Sequence, residues 1–527
     1  MSADLAITNA NVRTMNPRQP VAQAIAIRKN KIVKVGTNQE INQLIGNGTK
    51  VISLEGKTVV PGLIDTHIHV ADFGRCLLWL ELSSAESIKE LQHLLKQKAK
   101  QTTSGKWIIG RGWNHNRFKD KRLPNLSDLN EVAPDNPVIL YHESAMLCAV
   151  NSNALVLAGV TGQTAVPLGG AIDQNPQTCE LTGILRDSAT TLVWQVVPEP
   201  TENELFDAAV LACQKIAEAG ITSVHWIVLS ENELQIIQKL HAEGKLLIRV
   251  NVIVPDVLLK KPAGFQSTDT QMLRIGGTII ASDGYLDSKT AALAQPYSDE
   301  PKNSGKLLYN QQELAASVAQ VLEAGLQPII HAMGDKAVDT TLRVIEQASK
   351  QTNCKSIRFR IEQAAVLDKE LINRLRAQKV VVSVQPKVIA TEFAVWSATE
   401  RLGVERAKWL HPIKTLIKKG VKVAGGSDCP MEPLNPLLGM QEAVLRPNFP
   451  EQRLTVGEAL RMYTIDAAYS SFEEKVKGSI EVDKLADLTI LSKDPLAVPT
   501  NKLSEVNAEI TVIDGKVVYS KDQLGLS

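Results

Sequence analysis

Two histidines separated by one residue form the most informative pattern in this sequence. His67 and His69 follow an apolar run that begins at Val59 and contains a Pro-Gly pair. The run predicts a buried strand, on which side chains at positions i and i+2 point to the same side. Two such imidazoles can chelate one divalent cation, and Asp65 shares their parity. The chain has only nine histidines, so this spacing favours a metal site over two unrelated histidines at a strand end.

Two more candidate ligands stand at the ends of later predicted strands. His331 ends the run that starts at Pro328, and Asp428 ends the run that starts at Val423. In a parallel barrel the reactive groups lie at the carboxyl ends of the strands. Taken singly, His331 could be a hydrogen-bonded core histidine and Asp428 a helix cap or turn residue. Together they suggest a shared site with the histidine pair at 67 and 69.

The predicted ligand set is His67, His69, His331 and Asp428. This nitrogen-rich set suits one divalent metal ion, with zinc favoured and iron or manganese as alternatives. Such an ion can lower the pKa of a bound water to about 7 and so create a nucleophile at neutral pH. Asp428 could accept the proton of that water. His331 could instead act on the substrate if it does not bind metal.

Strand-like and helix-like segments alternate through the middle of the chain, which is typical of a parallel α/β fold. The predicted strands are 59–66, 221–227, 247–254, 274–282, 327–332, 357–363, 379–385 and 421–427. The predicted amphipathic helices are 203–219, 231–243, 311–325, 336–350, 369–377, 404–419 and 456–468. Eight strands with intervening helices favour a (β/α)8 TIM barrel, although periodicity alone leaves a doubly wound sheet open.

The remaining segments predict additional domains around the barrel of residues 59–477. Short β-rich runs occur at both ends, and Asp514-Gly515 between two of them is a strong hairpin signal. The runs within residues 4–60 are expected to form a small antiparallel sheet, and the two ends, 1–58 and 478–527, are expected to form one discontinuous β-domain. Residues 75–200 are too many for a single barrel crossover and carry strands of their own. They predict an inserted α/β lobe over the barrel mouth.

Composition argues against macromolecular partners recognised by charge. Lys and Arg total 58 and Asp and Glu total 57, so the formal net charge is +1. With no long basic block and only 4% aromatic residues, neither nucleic acid nor an anionic membrane is an expected partner. The chain has no run of 18 apolar residues and no visible secretory signal. The six cysteines are scattered without a Cys-x-x-Cys pair, which favours a reducing, cytoplasmic location.

Several motifs carry a family resemblance. They lie at 61–69, 151–155, 183–187, 219–224, 283–284 with 291–297, 331–335, 383–386, 426–428 and 486–491. In order and spacing the chain resembles the amidohydrolase superfamily, in the branch that includes N-substituted formamide deformylase and exoenzyme-regulator-like proteins. The resemblance implies a (β/α)8 barrel, a flanking β-sandwich and a metal-dependent hydrolase acting on non-peptide C–N bonds. Enzymes of this kind often pair, so a homodimer is one expectation.

The sequence departs from the superfamily pattern at three positions. Ile279 stands where many relatives have a carbamylated lysine that bridges two metals, and Gln363 stands where they have histidine. Met146 replaces a histidine of the inserted lobe, for which His142 is a substitute candidate. Isoleucine cannot ligate a metal and a neutral amide is a poor zinc ligand. We therefore predict one metal ion rather than two.

Four residues are candidates for the substrate pocket, namely Gln363, His225, His142 and Trp113. Strand alternation predicts that Gln363 faces the site and that the neighbouring Glu362 is structural. His225 fits either the barrel mouth or the core. The near-neutral charge and the apolar residues of the insert suggest a neutral or partly apolar small-molecule substrate.

Two functional hypotheses follow. The first is a metal-dependent amidohydrolase that cleaves an amide, formamide, cyclic amide or amidine C–N bond of a small molecule with a metal-activated water. The second is a catalytically degenerate barrel that binds a small metabolite for sensing or regulation. The three departures motivate the second hypothesis. The fold alone does not decide between the two, because one barrel fold hosts many functions.

Overall fold

The computed structural model describes residues 2–144, 146–259, 270–351 and 357–522. Cys354, one of the six scattered cysteines, lies outside these ranges. Two compact units can be distinguished, one formed by residues 1–73 with 209–527 and the other by residues 74–208. The predicted inserted lobe, 75–200, falls within the second unit.

Eight parallel strands form the centre of the first unit. In chain order they are β1 (Leu63–Ile68), β2 (Ile221–Ile227), β3 (Arg249–Pro255), β4 (Leu273–Ala281), β5 (Gln327–Ala332), β6 (Arg360–Gln363), β7 (Val381–Val384) and β8 (Lys422–Gly425). Each strand pairs with the next one along the chain. A parallel bridge between Ile68 and Cys429 joins the ends of β1 and β8. The predicted (β/α)8 barrel is thereby confirmed.

Helices follow the barrel strands as the 3.6-residue pattern predicts. The helices of the described chain are Asn38–Asn42, Val70–Leu78, Ile88–Gln101, Leu126–Asn130, Ser152–Leu157, Thr191–Trp194, Glu202–Glu218, Glu231–Ala242, Asp256–Leu259, Gln311–Glu323, Asp335–Gln351, Lys369–Ala377, Pro386–Ala394, Ala398–Leu402, Val404–Ala407, Ile413–Lys418, Pro436–Leu445, Val456–Met462 and Ile465–Ser470. The predicted helix 404–419 is interrupted before Ile413, where Pro412 cannot continue a helix from the preceding turn. The predicted helix 456–468 is likewise two helices.

The predicted first strand, 59–66, is in fact two strands in two sheets. Thr58–Pro61 pairs with the C-terminal strand Leu488–Leu491, whereas Leu63–Ile68 opens the barrel. The switch occurs at Gly62, where a Cβ atom would lie 2.1 Å from the hydroxyl of Thr222. Only glycine permits the backbone to pass this close, so the Pro-Gly pair is the point where the chain leaves one sheet for the other.

The remaining strands of the first unit form two sheets. The four-stranded sheet has the order Lys31–Gly36, Ala24–Arg28, Leu5–Thr8 and Lys50–Ser53. The six-stranded sheet has the order Lys516–Ser520, Ala508–Ile513, Leu488–Leu491, Thr58–Pro61, Asn11–Arg13 and Val21–Ala22. Strands from both ends of the chain share the second sheet. The expectation of a small antiparallel sheet from residues 4–60 is wrong, because the strands of this segment lie in two sheets and each sheet contains one parallel pair.

The second unit contains a six-stranded mixed sheet with its own core. The strand order is Ala171–Gln174, Leu181–Arg186, Leu147–Val150, Val138–His142, Ile108–Trp113 and Leu80–Glu81. One face of the core includes Leu91, Leu95, Trp113, Phe118 and Leu140, all buried. This unit therefore buries a hydrophobic cluster without requiring residues from the barrel.

Almost all residues of β1, β2, β3, β5 and β6 are buried, as expected where helices cover a parallel sheet. Polar side chains inside such strands are costly to bury unless they are paired. Several polar side chains are nevertheless buried in these strands, including His67, His225, His331, Arg360 and Glu362.

Candidate metal centre

Three predicted ligands converge at the carboxyl ends of β1 and β8. His67, His69 and Asp428 each offer one ligand atom, and these atoms all lie within 4.8 Å of one another. Oδ1 of Asp428 is 3.5 Å from Nε2 of His67 and 3.7 Å from Nε2 of His69. Within the described ranges this is the one group of three or more such side chains close enough to share an ion.

The backbone fixes the spacing of these three residues. The Asp428 N–H donates to the carbonyl of His67 at 2.8 Å, and the His69 N–H donates to the carbonyl of Cys429 at 2.9 Å. The buried Asp65 carboxylate accepts from the N–H groups of His67 and Ser427, both at 3.0 Å. Asp428 itself has a left-handed backbone conformation, with φ of 62°. The ends of β1 and β8 are thus joined by hydrogen bonds on either side of the ligands.

Burial shifts the pKa values of His69 and Asp428 in opposite directions. It lowers the pKa of His69 to about 4, helped by the nearby charge of His67, so the His69 imidazole is neutral at pH 7. Burial also raises the pKa of Asp428 above its ordinary value, although His67 opposes this shift. Burial would lower the pKa of His67, but Asp428 and Glu362 raise it above the usual value. A positive charge next to Asp428 and Glu362 would therefore be favourable.

The arrangement fits a small divalent cation. A tetrahedral ion with ligand bonds of about 2.1 Å holds its donors about 3.4 Å apart. The separations from Asp428 to the two imidazoles, 3.5 and 3.7 Å, are close to this value. Two imidazole nitrogens and one carboxylate oxygen are donors typical of zinc, and three protein ligands leave a position for water.

His331 is buried at the end of β5 but does not belong to this group. Its Nδ1 atom lies 3.8 Å from Oδ1 of Asp283, and its ring centroid lies 5.1 Å from that of Tyr285. Neither ring nitrogen has a hydrogen-bond partner in the described part of the chain. Burial and the charge of His67 lower the pKa of His331 to about 4. Its role as a fourth ligand stays a prediction.

Glu362, rather than Gln363, contacts a candidate ligand. Oε2 of Glu362 lies 2.8 Å from Nδ1 of His67, so the residue predicted to be structural is in direct contact with a candidate ligand. Gln363 has φ of 69°, so the alternation of an extended strand does not extend to it. The Gln363 side chain is buried, and its amide oxygen has no hydrogen-bond partner among the residues described.

His225 lies in the barrel interior and not at the mouth. It is fully buried on β2, and its Nδ1 atom is 2.7 Å from Nη1 of Arg360. Burial and the neighbouring guanidinium keep its pKa well below the usual value. Its predicted alternative as a core residue is the one that this environment supports.

The positions expected to hold a second metal are apolar or neutral. Ile279 on β4 packs against a cluster formed by Ile227 of β2, Ile253 of β3 and Ile329 of β5. This isoleucine cluster offers no ligand atom. Met146, which stands where the family pattern has a histidine of the lobe, lies in the second unit and is 60% exposed.

The two lobe candidates lie within the second unit. Trp113 is fully buried in the core of that unit, and its indole N–H donates to the carbonyl of Leu140 at 2.8 Å. This environment is that of a core residue, because no part of the ring is left for a substrate. His142 packs edge-on against Trp113 with ring centroids 4.8 Å apart, and its Nδ1 atom is 2.9 Å from the Ser144 hydroxyl.

Sequence reasoning missed Arg360 and Tyr285. Arg360 and Glu362 are two residues apart on β6, so the alternation that places His67 beside His69 also places these two on one face. This two-residue spacing is visible in the sequence and could have indicated both residues. Tyr285 follows β4 in an irregular loop, where no periodicity indicates the direction of its side chain.

An eight-stranded parallel barrel with two histidines and an aspartate at its carboxyl-terminal rim defines a class of metal-dependent hydrolases. Comparison with known proteins places the chain within that class. The profile of the amidohydrolase family matches residues 50–519. The chain therefore belongs to the amidohydrolase family.

Individual relatives cover nearly the whole chain. A putative amidohydrolase YtcJ of Bacillus subtilis is 32% identical over 97% of this chain and 98% of its own length. The N-substituted formamide deformylase of Arthrobacter pascens is 28% identical over 98% of each chain. The crystal structure of an uncharacterized metal-dependent hydrolase from Pyrococcus horikoshii superposes with a TM-score of 0.76 at 29% identity, covering 94% of this chain and 99% of that one.

A helix that crosses a membrane must be both long and apolar. Within the described ranges, no helix combines the length and the apolar character needed to cross a bilayer.

Proposed function

We propose that the protein is a single-metal hydrolase that cleaves a non-peptide C–N bond of a small molecule. The convergence of His67, His69 and Asp428 on one point carries the proposal. The similarity to N-substituted formamide deformylase supports an amide or formamide substrate, with cyclic amides and amidines as related candidates. The reaction would add one water across the scissile C–N bond. An amide or formamide would give a carboxyl group and a free amine, and an amidine would give an amide and a free amine or ammonia.

Zinc is the proposed ion, because imidazole and carboxylate donors at these separations suit a four-coordinate site. When bound, such an ion lowers the pKa of a water to about 7 and polarises a substrate carbonyl. The proposal includes only one ion, because isoleucine at position 279 cannot ligate a metal and the amide of Gln363 is a poor zinc ligand. Iron or manganese would satisfy the same ligands.

The residues around the ion supply proton transfer and orientation. Asp428 has one oxygen directed between the histidines, and burial raises its pKa, which makes it a better proton acceptor. His331 is neutral near pH 7, and its Nε2 atom has no hydrogen-bond partner in the described chain. We propose that His331 contacts the substrate, donating to or accepting from the scissile group, and that the adjacent Tyr285 ring borders the same space.

Metal analysis followed by an activity screen tests this function. Protein purified without chelator should contain about one metal ion per chain, since ligands of this kind bind zinc tightly. Formamides, other amides, cyclic ureides and amidines are then tested as substrates. Turnover should disappear in Asp428→Asn and persist in Glu474→Gln, whose carboxylate pairs with Arg358 at the opposite end of β6. Protein that neither contains nor takes up metal would contradict the proposal.

A second candidate is a barrel that binds a metabolite without hydrolysing it. The isoleucine cluster at Ile279 and the amide at Gln363 favour it, because both replace chemistry that many relatives have. Any C–N substrate whose turnover is lost in His67→Ala would exclude this candidate. Saturable binding of such compounds without product formation, in protein loaded with zinc, would support it.

A further inference from the structure

A buried network lies directly behind His67. Its members are Glu362 and Arg360 on β6, His225 on β2, and Ser383 on β7. Glu362 contacts Nδ1 of His67 at 2.8 Å, and Arg360 forms an ion pair with Glu362. Arg360 also contacts Nδ1 of His225 at 2.7 Å and the Ser383 hydroxyl at 3.2 Å. Each of these side chains is fully buried or nearly so.

The chemistry of arginine determines where the protons of this network lie. A guanidinium has five N–H donors and no acceptor, and it stays protonated in proteins. Nδ1 of His225 must therefore accept from Arg360. The same permanent charge favours the ionised form of Glu362, which then can only accept. Nδ1 of His67 must therefore carry the proton that is donated to Glu362.

This assignment leaves Nε2 as the lone-pair nitrogen of neutral His67. Nε2 is also the His67 atom that lies 3.5 Å from Asp428, on the side of the ring away from Glu362. The network thus selects the tautomer and the ring orientation that direct a free lone pair towards His69 and Asp428. No side chain makes a comparable contact with His69, whose Nδ1 atom has no side-chain partner in the described residues.

We infer that Glu362 is a positioning residue for the metal centre, which fixes His67 as an Nε2 ligand while Arg360 holds the Glu362 carboxylate in place. This inference rests on the proposed metal-dependent function and deepens it. The contribution of β6 to the metal centre is therefore made by Glu362 through His67.

The test is the zinc affinity of purified protein, measured by competition with a chromophoric chelator and without reference to activity. Glu362→Gln is expected to weaken zinc binding about 10- to 100-fold, the loss typical of removing such a histidine partner. Glu362→Asp, which keeps the charge, should recover part of this loss. Glu474→Gln is the matched control, since its carboxylate pairs with Arg358 through two contacts of 2.6 and 2.9 Å but is not adjacent to the ligands. Its affinity should equal that of the wild type.

A double variant separates positioning from simple destabilisation. Glu362→Gln leaves Arg360 as a buried charge without its carboxylate, which by itself is destabilising. Arg360→Met with Glu362→Gln removes both charges and should still bind zinc as weakly as Glu362→Gln. Wild-type affinity in the double variant, or in folded Glu362→Gln, would overturn the inference while leaving the proposed function intact. A wild-type protein that binds no zinc would overturn both.

Discussion

The backbone N–H of Asp428 donates to the carbonyl oxygen of His67 at 2.8 Å, at the point where the last barrel strand meets the first. The two side chains therefore start from adjacent, hydrogen-bonded backbone positions. Their ligand atoms need only ordinary side-chain lengths to approach within 3.5 Å. Closure of the barrel and assembly of the candidate metal centre are consequently the same structural event.

Removal of a ligand should abolish tight metal binding. His67→Ala, His69→Ala and Asp428→Asn each delete one of three converging donors, so zinc affinity should fall by more than about 100-fold, beyond the loss expected for an outer partner. Equilibrium dialysis with zinc measures this. His93→Ala, which alters an exposed histidine on a lobe helix, should bind zinc as the wild type does. Equal affinity in all four variants would place the metal elsewhere.

A lysine at position 279 should not by itself create a second metal site. Ile279→Lys would place an ammonium group among Ile227, Ile253 and Ile329, so we expect a loss of about 1–3 kcal/mol in stability and no additional ion. Thermal unfolding and metal stoichiometry are the measurements, with Ile279→Leu as the apolar control. A rise towards two ions per chain in Ile279→Lys would contradict this prediction.

Stability should depend on a buried ion pair between the barrel and the C-terminal strands. Arg249 at the start of β3 contacts Asp487 through two hydrogen bonds of 2.6 and 2.9 Å, and both side chains are buried. Asp487→Asn leaves the guanidinium without its closest charge and should cost about 3 kcal/mol. Asp514→Asn removes a more exposed partner of Arg249 and should cost less. Urea unfolding followed by fluorescence compares them, and equal midpoints would count against this ranking.

Glu392 should make stability fall as pH rises. Burial and the nearby charge of Asp287 raise its pKa to about 8, and no hydrogen-bond partner for its carboxylate occurs among the described residues. Above the ordinary pKa of a glutamate the unfolded chain loses this proton while the folded protein keeps it, so folding is progressively disfavoured up to about pH 8.

The variant Glu392→Gln removes this dependence. Its stability relative to the wild type should increase between pH 5 and pH 8, by on the order of a few kcal/mol. The comparison uses urea midpoints at each pH, with Glu400→Gln as an exposed control on a nearby helix. A difference between Glu392→Gln and wild type that stays constant with pH would refute the assignment.

The local pattern of the sequence was sufficient for the eight barrel strands and for part of the site, whereas it left open whether those strands close into a barrel. Apolar runs alternating with amphipathic segments predicted all eight barrel strands, because burial on both faces of a parallel sheet leaves a continuous signature. His67 and His69 could be paired because alternation along a strand is a local property. The same rule does not extend to Gln363, where the backbone turns into the left-handed region.

Relations between strands required the tertiary structure. Periodicity does not reveal that the chain changes sheets at Gly62, since the cause is the close approach of Thr222 on another strand. Periodicity also does not distinguish a metal ligand from a residue that is merely nearby. His331 and Asp428 were both predicted as ligands because each ends a strand, but of the two only Asp428 lies within ligand distance of His67 and His69.

The sequence by itself therefore determined the family, the eight barrel strands and the pair His67 and His69, because each depends on residue types at fixed local spacing. The tertiary structure decided which groups surround that pair. Asp428 is brought to it by the hydrogen bonds that close the barrel, and Glu362 reaches Nδ1 of His67 from the other side. Orientation between strands depends on backbone conformation and packing at a distance, which no local pattern of residues encodes.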